Sequence, residues 1–283
     1  MGEALFGPAG NSESFTGEYR SFSDIPRYIS MMNLDLYEYQ FGRGVRMSSS
    51  NAMILKEECS RYNIEITAHA PYYISLSGED EGKRLGSIRY FLETAEAVTG
   101  MGGTRIIVHS GSAGKRNRAE ALALAKDTLA LAIRELDNRG YQDVMVCPET
   151  MGKIGQLGSL EEVLELCSVD ERTVPCIDFG HLNARTNGGI KTGVDYMNIL
   201  KAIENALGRE RTNTMHIHFS KIEYTAGGEK RHLTFEDRIF GPNPEELLRI
   251  IAEQKLEPHI ICESDGTQAE DAYTMKKIYQ GYL

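Results

Sequence analysis

The fold class is decided by residues 104–149, which read TRIIVHSGSAGKRNRAEALALAKDTLALAIRELDNRGYQDVMVCPE. Two short runs, 104–109 and 143–149, have apolar centres without polar alternation, which is typical of strands buried on both faces of a parallel sheet. Between them, residues 118–136 are predicted to form an amphipathic helix, because apolar side chains recur at helical spacing at Leu122, Ala125, Leu129, Ile133 and Leu136. The stretch therefore predicts a strand–helix–strand unit.

The same unit repeats along the chain. Eight apolar runs predict strands at 3–6, 34–39, 64–69, 104–109, 143–149, 173–178, 214–219 and 259–263. In 283 residues each strand and its helix would occupy about 35 residues, which favours a (β/α)8 TIM barrel over an open doubly wound α/β sheet. No GxGxxG motif follows the first run and no linker divides the chain, so we predict one barrel domain over residues 1–283. The longest loops are predicted at 41–50, 75–86, 180–194 and 224–243.

Composition limits the function classes. With 31 basic and 41 acidic residues the net charge is −10, which argues against a protein held on nucleic acid by bulk charge, although a local basic groove stays open. No apolar stretch approaches the ~20 residues that a membrane helix needs. The five cysteines include no CxxC pair, so we expect unpaired thiols in a reducing cytoplasm.

Histidines and carboxylates lie where the predicted strands end. In a barrel the carboxyl ends of the strands converge on one rim, where catalytic groups collect. Burying several carboxylates and imidazoles together is costly without cations to pair them. Imidazole and carboxylate without thiolate suit Zn²⁺, with Mn²⁺ as an alternative. The sequence therefore predicts a metal site with more than one ion at the rim, drawn from His69, His109, Glu149, Asp178, His181, His216, His218 and Glu263.

Five motifs carry a resemblance to a known family. They are AHAPYYI at 68–74, VHS at 108–110, PETMGK at 148–153 continuing to QLGS at 156–159, DFGH at 178–181 and HIHFSK at 216–221. In this order they resemble endonuclease IV, a zinc-dependent family of abasic-site endonucleases within the xylose isomerase-like barrels. The resemblance runs from about residue 6 to residue 282.

The resemblance implies three zinc ions. It assigns His69, His109 and Glu149 to the first ion. Glu149 also bridges to the second ion, which is completed by three further ligands, and two histidines belong to the third. Glu149 is then the catalytic carboxylate, because in this family a hydroxide that bridges two ions cleaves DNA 5′ to the abasic site. The further ligands are Asp178, His216 and Glu263 for the second ion, and His181 and His232 for the third.

The third site departs from the family pattern. The family has Asp-Arg-His where this chain has Lys230-Arg231-His232. An ammonium group cannot ligate a metal, and its charge repels a cation at short range. Either Lys230 points away and His218 or Glu229 supplies the missing ligand, or the third site is weak or empty. We therefore expect two tightly held ions, or three.

The same resemblance implies DNA with abasic sites as the partner in base excision repair, bound by a monomer. Tyr72 and Tyr73 follow the His69 strand end, where this family inserts side chains into the DNA. Arg43 and Arg46 follow the second strand and are candidates to bind phosphates. A second basic group, Lys115, Arg116 and Arg118, follows His109.

Two other functions stay open. Barrels of this superfamily include metal-dependent sugar isomerases and epimerases, which use four ligands at the strand ends, here Glu149, Asp178, His216 and Glu263. His69 and His109 favour the hydrolase, because they supply an additional ion, whereas the acidic net charge and Lys230 favour the isomerase. A non-catalytic module that binds damaged DNA or a sugar is the third alternative.

Overall fold

A computed structural model describes residues 2–283 and contains the predicted barrel. Each of the eight predicted runs overlaps one barrel strand, and two further strands form a hairpin. The parallel barrel strands are β1 (Leu5–Pro8), β2 (Leu36–Gln40), β3 (Glu65–His69), β4 (Arg105–Val108), β5 (Met145–Pro148), β6 (Cys176–Asp178), β7 (His216–Phe219) and β10 (His259–Cys262). The antiparallel hairpin consists of β8 (Lys221–Thr225) and β9 (Gly228–Leu233).

The barrel closes through isolated bridges. Ladders of hydrogen bonds join the strands in two groups, β2-β3-β4-β5 and β6-β7-β10-β1. Parallel bridges connect Ala9 with Glu38 at one seam and Glu149 with Cys176 at the other. Because every barrel strand is parallel, all eight carboxyl ends face the same rim.

Helices surround the sheet. They are α1 (Glu13–Glu18), α2 (Ile25–Met31), α3 (Ser49–Tyr62), α4 (Glu81–Gly100), α5 (Arg118–Asn138), α6 (Leu160–Cys167), α7 (Phe179–Arg185), α8 (Gly193–Asn213), α9 (Glu245–Gln254) and α10 (Gln268–Gln280), with a short 3-10 helix at Phe22–Asp24. In α5 the predicted face is buried at Ala125, Leu129, Ile133 and Leu136, whereas Leu122 is half-buried. No helix within residues 2–283 has the length and apolar character needed to cross a membrane.

The hairpin was not predicted: the end of β8, the turn and β9 lie in the segment interpreted as a loop at 224–243, and β8 begins three residues before it. It is fixed to the rim by backbone contacts, since Glu229 donates its N–H to the carbonyl of Gly152 (3.2 Å) and Ile154 donates to Gly227 (3.2 Å). Gly228 has φ +91°, and a Cβ atom there would meet the Gly152 carbonyl oxygen at 2.2 Å. Only glycine fits this close approach. A second predicted loop, 180–194, contains most of α7.

Candidate metal centre

Glu149 is the centre of the rim. It directly follows β5 and is buried. Its Oε2 atom lies 3.2 Å from His69 Nε2 and 3.0 Å from His109 Nε2. Its Oε1 atom lies 3.2 Å from His218 Nδ1 and 3.3 Å from His181 Nδ1. One carboxylate therefore faces a different pair of imidazoles with each of its oxygens.

The first cluster consists of His69, His109 and Glu149, whose ligand atoms lie within 4.8 Å of one another. His69 Nδ1 is 2.9 Å from the carbonyl oxygen of Ala70, so it carries a proton and donates to that oxygen. The lone pair of His69 is then on Nε2, which faces Glu149. This tautomer is the one that a metal ligand requires, and the cluster matches the first predicted set.

The second cluster differs from the ligand set that the resemblance implies. It consists of Glu149, Asp178, His218 and Glu263, and His216 is outside it. The reason is strand register: His218 pairs with Asp178 at the carboxyl end of β6, whereas His216 pairs with Cys176. Both histidines point into the barrel, but two residues along a strand amount to about 6–7 Å. His216 therefore lies deeper than this cluster, and His218 is the histidine that the structure brings beside Glu149, Asp178 and Glu263.

The third cluster consists of His181, His232 and Glu263. Asp178 caps α7 and accepts a hydrogen bond from the backbone N–H of His181 at 2.7 Å, which holds that side chain at the rim. His181 Nδ1 is 2.9 Å from the carbonyl oxygen of Thr150, which leaves Nε2 facing the third cluster. This nitrogen lies 3.5 Å from Glu229 Oε2. Glu229 thus supplies a carboxylate beside the two predicted histidines.

Lys230 points away from the rim. Its Nζ atom lies 2.5 Å from Glu223 Oε1, and its side chain is 56% exposed. Arg231 binds the other oxygen of the same glutamate at 2.7 Å. A β-bulge places Lys230 and Arg231 together opposite Glu223, so both bind it on the outer face, while Glu229 and His232 on either side line the cavity. Of the alternatives open in the sequence, the hairpin geometry supports the first, with Glu229 in place of the family's aspartate.

Burial and neighbouring charges shift the pKa values of the rim residues. Burial raises the pKa of Glu149, but His109 and His218 outweigh it and hold that pKa well below its usual range. Burial raises the pKa of Glu263 above its ordinary value. Burial lowers the pKa of His181, but the nearby carboxylates of Asp178 and Glu149 outweigh burial and raise this pKa to about 10.

The donor set fits Zn²⁺. The buried Oδ2 atom of Asp178 has no hydrogen-bond partner within residues 2–283, and such an atom is expensive unless an ion or water satisfies it. A deeper group of Cys176, His216 and His218 includes a thiol, whereas each of the three rim clusters offers both imidazole nitrogen and carboxylate oxygen. This set suits Zn²⁺ or Mn²⁺. The residues of the rim therefore fit a site for two or three ions.

A cavity of about 590 Å³ opens above the clusters. Tyr72 forms part of its wall, and its ring centroid lies 5.5 Å from that of His109. Tyr73 is also exposed, but its ring packs against Tyr90 at 5.8 Å and does not line the cavity. The two predicted aromatic residues therefore occupy different positions, and only Tyr72 is beside the metal clusters.

The predicted basic residues divide in the same way. Arg43 and Arg46 are exposed in the loop after β2. Arg118 is not available for phosphate, because its guanidinium binds both carboxylate oxygens of Glu162 and the carbonyl oxygen of Gln156. Its role is to fix the loop after β5.

Some cavity residues were missed by sequence reasoning. Lys153 and Gln156 line the cavity. The sequence motif that contains them was recognised, but neither residue was assigned to the site. Gln40 also lines it, and Glu38 lies beneath the clusters. Both residues lie on β2. The sequence signal that could have identified them is a glutamate within, and a glutamine beside, an otherwise apolar run.

The sequence pattern of the xylose isomerase-like TIM barrel family matches residues 27–278. The chain belongs to this family. An uncharacterized protein of Methanocaldococcus jannaschii, MJ0133, is 34% identical to this family member over 272 residues, covering 96% of each chain.

Relatives with more specific names are more distant. A probable endonuclease 4 of Methanosphaera stadtmanae is 27% identical over 161 residues, and the match spans only 55% of each chain. A crystal structure of a D-tagatose 3-epimerase-like protein superposes with a TM-score of 0.70 at 21% identity, covering 91% of each chain. Proteins similar to this chain are thus named for two different reactions.

Proposed function

We propose that this protein is a zinc-dependent phosphodiesterase that cleaves DNA on the 5′ side of abasic sites. The observation that supports this best is the pair His69 and His109 on Glu149 Oε2, in addition to the separate cluster on Oε1. One cluster would suffice to polarise a sugar carbonyl. Two clusters that share a carboxylate suit a phosphodiester, where both the attacking and the leaving oxygen need charge stabilisation.

The chain supplies the positions for this chemistry. Zinc, when bound, lowers the pKa of a water molecule and stabilises negative charge on phosphoryl oxygens. Glu149 would hold the first and second clusters together, and Glu263 would connect the second with the third, since both carboxylates belong to two clusters. Attack by water on phosphorus would break its bond to the 3′ oxygen, leaving a 3′-hydroxyl and a 5′-deoxyribose phosphate. No side-chain nucleophile is required.

The cavity suits a nucleotide without its base. An abasic nucleotide can leave the helix without loss of base pairing, which makes its extrusion inexpensive and selects damaged sites. Tyr72, which is 60% exposed at the edge of the cavity, is the side chain that would fill the gap in the stack. Arg43 and Arg46 would contact the flanking phosphates.

Replacing Tyr72 by alanine is expected to weaken binding of abasic duplex by about tenfold to a hundredfold. Stacking contacts of this kind are worth about 1–3 kcal/mol. Hydrolysis of a small phosphodiester should change less than twofold or so, because Tyr72 would act on the DNA and not on the reacting atoms. Titrations with a fluorescent duplex and a chromogenic phosphodiester measure the two effects.

Tyr73→Ala is the matched control, because Tyr73 is similarly exposed but packs on Tyr90. It should leave both measurements near the wild-type values. Equal losses on the small and the duplex substrate in Tyr72→Ala would instead make Tyr72 part of the metal site.

Cleavage of a defined duplex tests the proposed function. The zinc-loaded protein should nick a duplex with one abasic analogue and leave the undamaged duplex intact, and EDTA should abolish the nick. The end groups should be a 3′-hydroxyl and a 5′-deoxyribose phosphate. Zinc-loaded protein that leaves the abasic duplex intact would contradict the proposal.

A ketose epimerase is the second candidate. It is favoured by the cluster of Glu149, Asp178, His218 and Glu263, because two carboxylates on one ion can exchange protons with a sugar on both faces. Amide side chains that can bind hydroxyl groups, Gln40, Gln156 and Gln268, also line the cavity. Incubation with a series of ketohexoses and manganese, analysed by chromatography, tests this candidate. If the protein is an epimerase, His69→Ala should spare its activity. If it is the endonuclease, the same substitution should abolish DNA cleavage.

A further inference from the structure

Glu38 is a buried carboxylate directly beneath the metal centre. It lies inside the barrel on β2, fully removed from solvent, and it is not in any of the metal clusters. We infer that Glu38 is a positioning residue. It orients His218 so that the Nδ1 atom of His218 faces Glu149 and Glu263 and binds the second ion. This inference rests on the metal centre of the proposed function.

The hydrogen bonds around Glu38 carry this inference. Its Oε1 atom is 2.9 Å from Gln40 Nε2 and 3.1 Å from His218 Nε2. Its Oε2 atom is 2.9 Å from His216 Nε2 and 3.2 Å from the Thr67 hydroxyl. Each oxygen thus has two donors, and the carboxylate needs no further partner.

This arrangement fixes the tautomer of His218. An ionised carboxylate only accepts hydrogen bonds, so His218 Nε2 must carry a proton that it donates to Glu38. In the neutral ring the lone pair is then on Nδ1. That atom lies 3.2 Å from Glu149 Oε1 and 3.4 Å from Glu263 Oε1. A ring turned the other way would present an N–H group to the place where the ion binds.

His216 has a corresponding but separate role. Its Nε2 atom donates to Glu38, while its buried Nδ1 atom has no hydrogen-bond partner among residues 2–283. His216 therefore supplies one of the hydrogen bonds that Glu38 accepts, and it does not ligate at the rim. The sequence HIH thus places one supporting and one ligating histidine on the same strand face.

Carboxylates behind ligating histidines are known to strengthen metal binding. They fix the ring and raise the basicity of the coordinating nitrogen, and their removal costs about 10–100-fold in metal affinity. Glu38→Gln keeps the size of the side chain but replaces one acceptor oxygen by an NH₂ group. That group would face an N–H donor of His216 or His218, so one ring must change its tautomer or turn.

Glu38→Gln is therefore expected to weaken zinc binding by about 10–100-fold at one ion per chain. Competition with a chromophoric chelator measures this without DNA, and the visible spectrum of the cobalt-substituted protein reports the changed coordination. Thr67→Val is the matched control, because it removes a donor from the same carboxylate without touching His218. It should keep zinc affinity within about twofold and leave the cobalt spectrum unchanged.

Imidazole ¹⁵N NMR of the zinc-loaded wild type provides a second measurement, which does not depend on the folding of a variant. We expect a protonated Nε2 and a metal-shifted Nδ1 for His218. The opposite assignment, or a Glu38→Gln variant with wild-type zinc affinity and spectrum, would overturn the role of Glu38. Because these experiments use zinc alone, a protein that passes them but leaves abasic duplex intact refutes the DNA substrate and leaves the role of Glu38 standing. A chain that binds no zinc refutes both.

Discussion

Glu149→Gln is expected to reduce cleavage of abasic duplex by at least about a thousandfold while the barrel stays folded. The Oε2 atom of Glu149 faces imidazoles of the first cluster and its Oε1 atom faces His218 of the second, so the carboxylate would connect the first and the second ion. An amide presents only one acceptor oxygen. Charge stabilisation by a metal pair is worth several kcal/mol in the transition state, and each 1.36 kcal/mol is a factor of ten in rate.

The measurement combines single-turnover cleavage with metal analysis. We expect the variant to bind fewer zinc ions and to show the far-UV circular dichroism of the wild type. Glu65→Gln is the matched control, because Glu65 is at the opposite end of the barrel, 3.2 Å from His259, and 59% exposed. It should cleave at the wild-type rate. Near-normal cleavage by Glu149→Gln would contradict the bridging role.

The barrel could be predicted because its strands are buried on both faces. Such strands are continuous apolar runs, and each of the eight runs overlaps one strand. The hairpin was missed because residues 221–233 are polar, half-exposed and paired only with each other in their sheet. Its position depends on Gly228 and the carbonyl of Gly152, a long-range contact with no local signal.

The histidines and carboxylates gathered at the rim could be predicted as a set of residue types, but their inner arrangement could not. His216 and His218 have the same residue type and face the same side of β7. Only the pairing of His218 with Asp178 decides which of them reaches the rim, and register between distant strands is absent from a single sequence. Arg118 was misinterpreted for a similar reason, since its partner Glu162 is 44 residues away.

Glu38 was missed for an energetic reason. A carboxylate within an apolar run is usually assigned to the exposed face, because burying a charge without partners is costly. The four donors around Glu38 come from Gln40, Thr67, His216 and His218, on three different strands. The closed barrel brings them together, and the cost of burial is offset only there.

Glu229→Gln is expected to remove one zinc ion per chain and to lower cleavage of abasic duplex by about a hundredfold to a thousandfold. Glu229 is the carboxylate beside His181 Nε2, at 3.5 Å, and its side chain is 14% exposed. Without Glu229 the third cluster would keep two neutral imidazoles and only Glu263, a carboxylate that it shares with the second cluster, and these compensate a dication less well than a further full negative charge. The loss of one charge-stabilising contact at a reacting phosphate typically costs about 10²–10³ in rate.

Lys230→Ala separates this role from the general effect of changing the hairpin. Lys230 is the next residue on β9, but its ammonium group binds Glu223 on the outer face. Its removal should leave three ions and the wild-type rate, because an exposed ion pair contributes little to stability. Elemental analysis and anomalous scattering at the zinc edge count the ions in both variants. Loss of the third ion in Lys230→Ala, or its full retention in Glu229→Gln, would show that the hairpin acts on this site through something other than the Glu229 carboxylate.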